Sequence, residues 1–283
     1  MLLRRIPEQP MSRLALWSRR IAVFALPVVL LTIIIVRAGF FEIVAGLAIF
    51  GGALFLAVVA IVLAIGAFVV IWREGHRGAG VAASAVLISL LLLGYPAYLG
   101  AKAYLLPPIS DITTDAIDPP RFEVIARLRP RDANPIAYAG LRAAELQRSA
   151  YPDIEPLVLN VPPQQAYDAA LAIITKRKWS IVDARPPQPG RRDGRIEAVA
   201  RTLVMGFRDD VVVRVRQDGD GARVDIRSAS RYGKRGDFGT NASRVASLSE
   251  AIEDLINEEL EKRNATAKKA KPAAKGDQKS KRR

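Results

Sequence analysis

Apolar residues are concentrated in the first 105 positions of the chain, where they form three long runs. These runs cover about residues 14–36, 43–72 and 81–105, and the middle one contains no charged residue. About 20 apolar residues in helical form span the roughly 30 Å hydrocarbon layer of a bilayer. The pattern predicts an all-α membrane domain over residues 1–105 with three transmembrane helices. No ionisable residue lies centrally in these runs, which disfavours a transporter.

The cations that flank the predicted spans are unevenly distributed. Five arginines lie before or at the start of the first span, and Arg73 and Arg77 follow the second, whereas Arg37 and Lys102 flank the opposite ends. Segments that stay in the cytoplasm carry an excess of Lys and Arg. We therefore expect a bacterial inner-membrane protein with a cytoplasmic N-terminus. Everything after residue 105 would then be periplasmic, and because nucleic acid is absent from that compartment, we expect no nucleic-acid partner.

The second run carries alanines at spacings of four and three, namely Ala53, Ala57, Ala60, Ala64 and Ala67. Small residues at this spacing let another helix approach closely. The neighbour could be the first span, the third span or a second copy of the chain, so a homo-oligomer is one possible reading.

After residue 156 the pattern becomes that of a globular α+β domain, which we expect to extend to residue 262. Strands are predicted at 157–159, 179–183, 195–202 and in a hairpin around 211–227, and helices begin at Pro162 and about Asn241. This order predicts an antiparallel sheet with two helices on one face. Residues 106–156 are expected to be an irregular lead-in with a helix-capable patch at 137–148. Residues 263–283 are rich in Lys and Arg and are expected to be a disordered basic tail.

The register of the hairpin follows from residue types alone. Val213 and Val215 alternate with Arg214 and Arg216 before the turn, and apolar and charged residues alternate again after it. Gln217 is expected to face Ala222, which would place Arg214 opposite Asp225. A shift of one residue would bring valines against charges.

Six segments together resemble a known family. They are DITTD (111–115), DPPRF (118–122), YPDI (151–154), RIEAVA (195–200), FRDDVVVRV (207–215) and RSASRYGKRGDFGTNASR (227–244). In this order they look like the bacterial and plant family catalogued as domain of unknown function 1499, over about residues 109–260. Members often follow predicted membrane spans. The resemblance implies a module and does not imply a reaction.

The last of these segments holds the candidate binding residues. Arg227, Ser228, Ser230, Arg231 and Asn241 are expected to converge near the N-terminus of the last helix, where N–H groups and guanidinium groups favour an anion. Arg201 and Arg214 extend this set along the charged sheet face. In the alternative interpretation, which we favour, these residues hold the loop and sheet together through ion pairs that involve Asp209, Asp210, Asp225, Asp237 and Arg244.

The chemistry available to the chain is limited by its composition. It has no Cys and a single His, His76, so a hydrolytic triad of the usual kind is excluded and no cofactor or metal site is expected. The net charge of +14, most of which comes from the basic tail, favours an anionic partner. We expect a membrane-anchored extracytoplasmic module of unknown activity, with an anionic lipid headgroup or envelope polysaccharide as its candidate ligand. An assembly subunit is the alternative, and an enzyme is less favoured.

Overall fold

The computed structural model describes residues 9–40, 42–188, 193–233 and 236–270 of the chain, with side chains up to residue 266. The chain divides into two compact units. The helical unit comprises the residues up to Leu105 together with the loop Thr202–Phe207, and the sheet unit comprises Leu106–Arg201 and the residues from Arg208 onward.

The helical unit contains three helices, each long and apolar enough to cross a membrane. They are α1 (Arg13–Ala38), α2 (Ile43–Glu74) and α3 (Ala79–Leu105). Helices α1 and α2 end at Gly39 and Gly75, which adopt left-handed conformations with φ of +81° and +70°. Glycine terminates helices in this way because it has no Cβ to oppose a positive φ. The three predicted spans are thereby confirmed as helices, each within a few residues of the expected bounds.

The alanine stripe of α2 is buried within the unit. All five alanines named above are at most 2% exposed, and α2 packs against α1 and α3, which contribute small residues such as Ala15, Ala22, Ala82 and Ala85. In a bilayer, apolar side chains gain little free energy by moving from lipid into the protein interior. Transmembrane helices are instead held together by close packing through small residues. The stripe is therefore occupied by the chain's own helices, and it supplies no free surface for a second copy.

The sheet unit has the α+β architecture that the sequence predicts. Its strands are β1 (Asp111–Thr113), β2 (Leu157–Leu159), β3 (Ser180–Arg185), β4 (Asp193–Arg201), β5 (Arg208–Asp218) and β6 (Gly221–Ser230). Its helices are α4 (Ile125–Leu128), α5 (Leu141–Ala150), α6 (Pro163–Lys176) and α7 (Thr240–Ala270). The antiparallel order is β1-β6-β5-β4-β3, with β2 also pairing to β6, and the sheet does not close.

The predicted hairpin register is confirmed. Gln217 pairs with Ala222, Arg214 with Asp225, and Val213 with Ile226. Pairing continues to Asp218 and Gly221, so the turn itself consists of Gly219 and Asp220. Gly219 has a φ of +54°, which is a conformation that two-residue hairpin turns require and that glycine adopts without strain.

Helices α6 and α7 cover one face of the sheet. Four apolar residues of α7 are at most 1% exposed, namely Val245, Leu248, Ile252 and Ile256. They pack with Ile174 of α6 and the apolar sheet residues in one continuous core. Spacings of three and four residues place them on one side of the helix. Helix α7 continues to Ala270, so residues 263–270 are helical where a disordered tail was expected, and residues 271–283 lie outside the described ranges.

The lead-in covers the opposite face of the sheet. Phe122 and Ile125 pack there against Val212 and Ala229 in a second, smaller core. The same segment contributes β1 at one end of β6, together with α4 and α5. The middle of the sheet is therefore buried on both faces, by α6 and α7 on one side and by the lead-in residues between β1 and α5 on the other.

Candidate functional site

The charged face of the sheet is closed by ion pairs to the lead-in. Arg214 is 5% exposed and bonds to Asp118 at 2.8 Å and to Asp225 at 2.9 Å. Asp225 is fully buried and also accepts hydrogen bonds from Arg216 and Arg223. The predicted Arg214–Asp225 pair forms, and around it the face is not an open surface for a ligand, because these charged groups pair with one another.

Asp115 belongs to this network. Burial alone would raise the pKa of its carboxyl, but backbone N–H groups of Asp118 and Ile117, aided by the positive charges of Arg223 and Arg214, lower the pKa below its ordinary value of 3.8. Donors to the ionised form favour that form. The carboxylate is thereby held charged, and it fixes the lead-in turn to the hairpin.

Glu197 attaches the next part of the lead-in. Its carboxylate is fully buried in β4 and accepts backbone N–H groups from Glu123 at 2.7 Å, Val124 at 3.1 Å and Ile125 at 2.8 Å. These are N–H groups at the start of α4, where helical donors lack partners within the helix. Glu197, a residue of β4, therefore caps the N-terminus of α4.

Arg227 lies on this same face. It makes a bidentate pair with Asp111 at 2.9 and 2.7 Å, and its guanidinium group lies 4.8 Å from the ring centre of Phe122. Arg231, also on this face, pairs with Asp210, which Arg129 contacts as well. Both guanidinium groups are therefore paired with carboxylates inside the sheet unit.

Ser228, Ser230 and Asn241 meet on the helix-covered face. Asn241 accepts a hydrogen bond from Ser228 at 2.6 Å and donates to Ser230 Oγ at 2.8 Å. Arg244 donates to Ser228 and forms an ion pair with Asp209 at 2.6 Å. Burial raises the pKa of Asp209, and the charge of Arg244 opposes this only in part. Ser228, Ser230, Asn241 and Asp209 are at most 7% exposed, so the network is part of the interior of the sheet unit.

Asp237 caps α7, which begins at Thr240. Its carboxylate accepts the N–H groups of Gly239 and Asn241, while the side chain of Asn241 turns inward to the serines. Burial raises the pKa of Asp237, and these two bonds partly oppose the effect.

The predicted binding set is therefore divided by the sheet. The structure brings together Ser228, Ser230 and Asn241, and it places Arg227 and Arg231 on the other face. Asp210 pairs with Arg231, and Asp209 pairs with Arg244, as in the alternative ion-pair interpretation. Arg227 pairs with Asp111, a partner that the sequence had not suggested.

Arg201 is the member of the set that stays exposed. It lies directly opposite Arg208, which is also exposed, where β4 ends and β5 begins. None of the ion pairs found within the described ranges includes either guanidinium group. Like charges that lie directly opposite one another destabilise a strand pair. The two arginines flank the loop Thr202–Phe207, whose sequence is TLVMGF and whose Leu203 is 88% exposed. Neither Arg208 nor this loop is among the binding residues predicted from the sequence, although the run RTLVMGFR (201–208) shows two arginines on either side of an apolar segment.

A comparison with family models matches residues 111–252 to a family described as "Protein of unknown function (DUF1499)". A search of curated proteins finds no match.

Two solved structures share limited similarity with the chain. One is described as a crystal structure of Ara h 8.0201; it has 12% identity and a TM-score of 0.23, and the match covers 37% of this chain and 95% of that one. The other is CalU16 from Micromonospora echinospora, with 14% identity, a TM-score of 0.17, and coverage of 36% and 85%. At these TM-scores no functional conclusion follows.

Proposed function

Because this chain belongs to the DUF1499 family, whose description assigns no activity, we propose a function from the geometry of its own residues. The proposed function is that of a non-catalytic, membrane-anchored module that engages anionic lipid headgroups through Arg201, Arg208 and the loop between them. We further propose that its sheet unit lies outside the cytoplasm, on the periplasmic side of a bacterial inner membrane, as the distribution of arginines around the spans favours.

One observation carries this proposal, namely the exposed pair of opposed arginines beside an apolar loop whose Leu203 is exposed. A guanidinium group offers a planar set of N–H donors that matches phosphate, so a headgroup between Arg201 and Arg208 would relieve their repulsion. Leu203 and its neighbours provide apolar side chains for the interfacial layer. A basic border around an apolar segment is typical of proteins that lie in a membrane interface.

The other arginines of the predicted set are less suited to an external anion, because Arg214, Arg227 and Arg231 are at most 5% exposed and paired. Within the predicted set, the proposed anion site is therefore limited to Arg201, together with Arg208 opposite it. Among anionic partners we propose lipid in preference to polysaccharide, because only lipid offers an apolar phase for Leu203.

Native mass spectrometry of the full-length protein tests the proposal. The chain would be released from nanodiscs that contain equal amounts of phosphatidylglycerol and phosphatidylcholine, and the retained lipids counted. Each basic residue near an anionic membrane contributes about 1 kcal/mol, so the double variant Arg201→Gln/Arg208→Gln should weaken phosphatidylglycerol retention by about 30-fold. Arg142→Gln, at an exposed arginine of α5, is the control and should retain the lipid. Equal retention by the double variant would refute the assignment.

A further inference from the structure

The loop Thr202–Phe207 is closed at its base by hydrogen bonds of its own. The N–H of Thr202 donates to the carbonyl oxygen of Phe207 at 2.8 Å, and the N–H of Phe207 donates to Thr202 Oγ1 at 2.9 Å. These bonds hold the two ends of the loop together. They leave the position of its tip to be set by other contacts, because they do not involve residues 203–206.

Arg37, in the same helical unit, makes such contacts. Its Nη1 donates to the carbonyl oxygens of Thr202 at 3.2 Å and Leu203 at 2.5 Å, with a longer contact of 3.5 Å to that of Val204. Hydrogen bonds from a charged donor are stronger than those between neutral groups. Among the ion pairs of the described residues, none includes Arg37. The guanidinium group is thus bound to the backbone of the loop.

Gly206 allows Arg37 to approach the loop closely. Its φ is +69°, in the left-handed region that residues with a Cβ rarely adopt. A Cβ at this position would lie 3.0 Å from Arg37 Cγ and 3.4 Å from Arg37 Cα, which is tighter than most contacts of a Cβ. Glycine therefore serves both the turn of the loop and its contact with Arg37.

Arg37 lies in the last turn of α1, a helix that is long and apolar enough to cross a membrane. Arginines near the ends of such helices extend their charged groups to the membrane interface. A backbone segment that is bound to such a group is held at the same level. The side chain of Leu203 stays 88% exposed while its carbonyl oxygen is bound, so it is available to the interface.

We propose that Arg37 is the positioning residue of this loop, and that it holds the tip at the end of α1 with Leu203 at the membrane interface. The inference deepens the proposed function and rests on it for the role of Leu203, whereas the contacts of Arg37 do not depend on lipid. Arg201 and Arg208 would bind the headgroup, and Arg37 would act only through the loop. Removal of its guanidinium group should therefore free the tip while the base of the loop stays closed.

Paramagnetic resonance of a nitroxide label at Leu203→Cys tests this inference in the full-length protein, which has no natural cysteine. Nanodiscs of phosphatidylcholine alone keep anionic headgroups out of the measurement. We expect a restricted component in the spectrum of the labelled parent. Arg37→Gln should raise the ratio of mobile to restricted label at least about fivefold, which corresponds to the net loss of one hydrogen bond. Arg37→Lys keeps a charged donor and should restore part of the restricted component.

Arg73→Gln is the matched control, because Arg73 lies in the last turn of α2 and should leave the ratio unchanged. A label at Asp153→Cys, an exposed position of the sheet unit, should not respond to Arg37→Gln, which separates loss of positioning from general unfolding. The proposal is overturned if the label at position 203 is already fully mobile in the parent, or if the label at position 153 responds equally. It is also overturned if Arg37→Gln leaves the ratio within about twofold of the parent.

Failure of this inference and failure of the proposed function are distinguishable. The lipid measurement uses Arg201→Gln/Arg208→Gln and phosphatidylglycerol, and neither enters the spin-label experiment. If the double variant loses the lipid but Arg37→Gln leaves the label restricted, the headgroup site stands and the positioning role is wrong. If the double variant retains the lipid but Arg37→Gln frees the label, Arg37 positions the loop and the headgroup site is wrong.

Discussion

Replacement of Glu197 by glutamine should release the lead-in from the sheet. The carboxylate is fully buried and accepts the N–H groups of Glu123, Val124 and Ile125 at 2.7–3.1 Å. The amide of glutamine keeps one acceptor oxygen but directs an NH₂ group at donors that need an acceptor. The substitution therefore replaces a charged acceptor by a neutral one and leaves at least one backbone N–H donor without a partner.

The size of the effect follows from this geometry. A hydrogen bond to a charged group contributes about 1.5–3 kcal/mol, and a buried donor that loses its partner costs about 1–3 kcal/mol. Since the three bonds share one carboxylate, their contributions do not add fully. We expect a loss of about 3 kcal/mol in the free energy of opening this segment, which corresponds to roughly 100-fold faster amide exchange.

Hydrogen exchange of the full-length protein, read by mass spectrometry, measures this opening directly. Amide protection reports the local opening free energy, so peptides that cover residues 121–128 should lose protection while the core of α7 keeps it. Glu253→Gln, at an exposed position of α7, is the matched control and should change stability by less than about 0.5 kcal/mol. If Glu197→Gln leaves protection of 121–128 within about threefold of the parent, then Glu197 does not anchor the lead-in.

Three further predictions concern the sheet unit and its placement. A fragment of residues 109–262 should fold alone, and Ile252→Asp should abolish the cooperative thermal melt of that fragment, because it buries a charge at a cost of several kcal/mol. The pKa of Asp115 is lower in the folded state, so its stabilisation is complete above about pH 4 and is lost as pH falls through the lowered pKa. Melts of Asp115→Asn should accordingly show a smaller loss on acidification. A reporter that is active only in the cytoplasm, fused after Arg283, should be silent, and a bright signal would reverse the proposed topology.

Features set by local periodicity could be predicted from the sequence. The Val213–Ile226 and Arg214–Asp225 pairs follow from alternation and turn length, and the stripe that includes Leu248 and Ile252 follows from helical spacing. Each depends on residues close together in the chain, whose relative positions are fixed by the geometry of a strand or a helix.

The cover on the second sheet face could not be predicted in this way. Glu197 bonds to N–H groups more than 70 positions earlier in the chain, and Arg227 reaches back to Asp111. Neither contact leaves a periodic signal. The charged residues of β5 and β6 alternate as a solvated face would, and only the three-dimensional structure shows that the lead-in supplies their partners.

Part of the candidate site could have been corrected from alternation alone. Successive side chains of a strand point to opposite faces, so Arg227 cannot lie beside Ser228 on one surface. The convergence of Ser228, Ser230 and Asn241 was expected, but their burial depends on the packing of α7. The exposed pair of Arg201 and Arg208 depends on the length of the β4–β5 loop, and the predicted strand bounds did not define that length.

The most direct test of the lipid-interface proposal is the membrane depth of residue 203. The natural chain has no cysteine, so Leu203→Cys can carry a single nitroxide spin label in the full-length protein. In nanodiscs that contain phosphatidylglycerol, paramagnetic resonance should show a label more accessible to oxygen than to a water-soluble nickel complex. A label at Asp153→Cys should show the opposite preference. If the label at position 203 is as accessible to the nickel complex as the label at position 153, the loop lies in water and the proposal is contradicted.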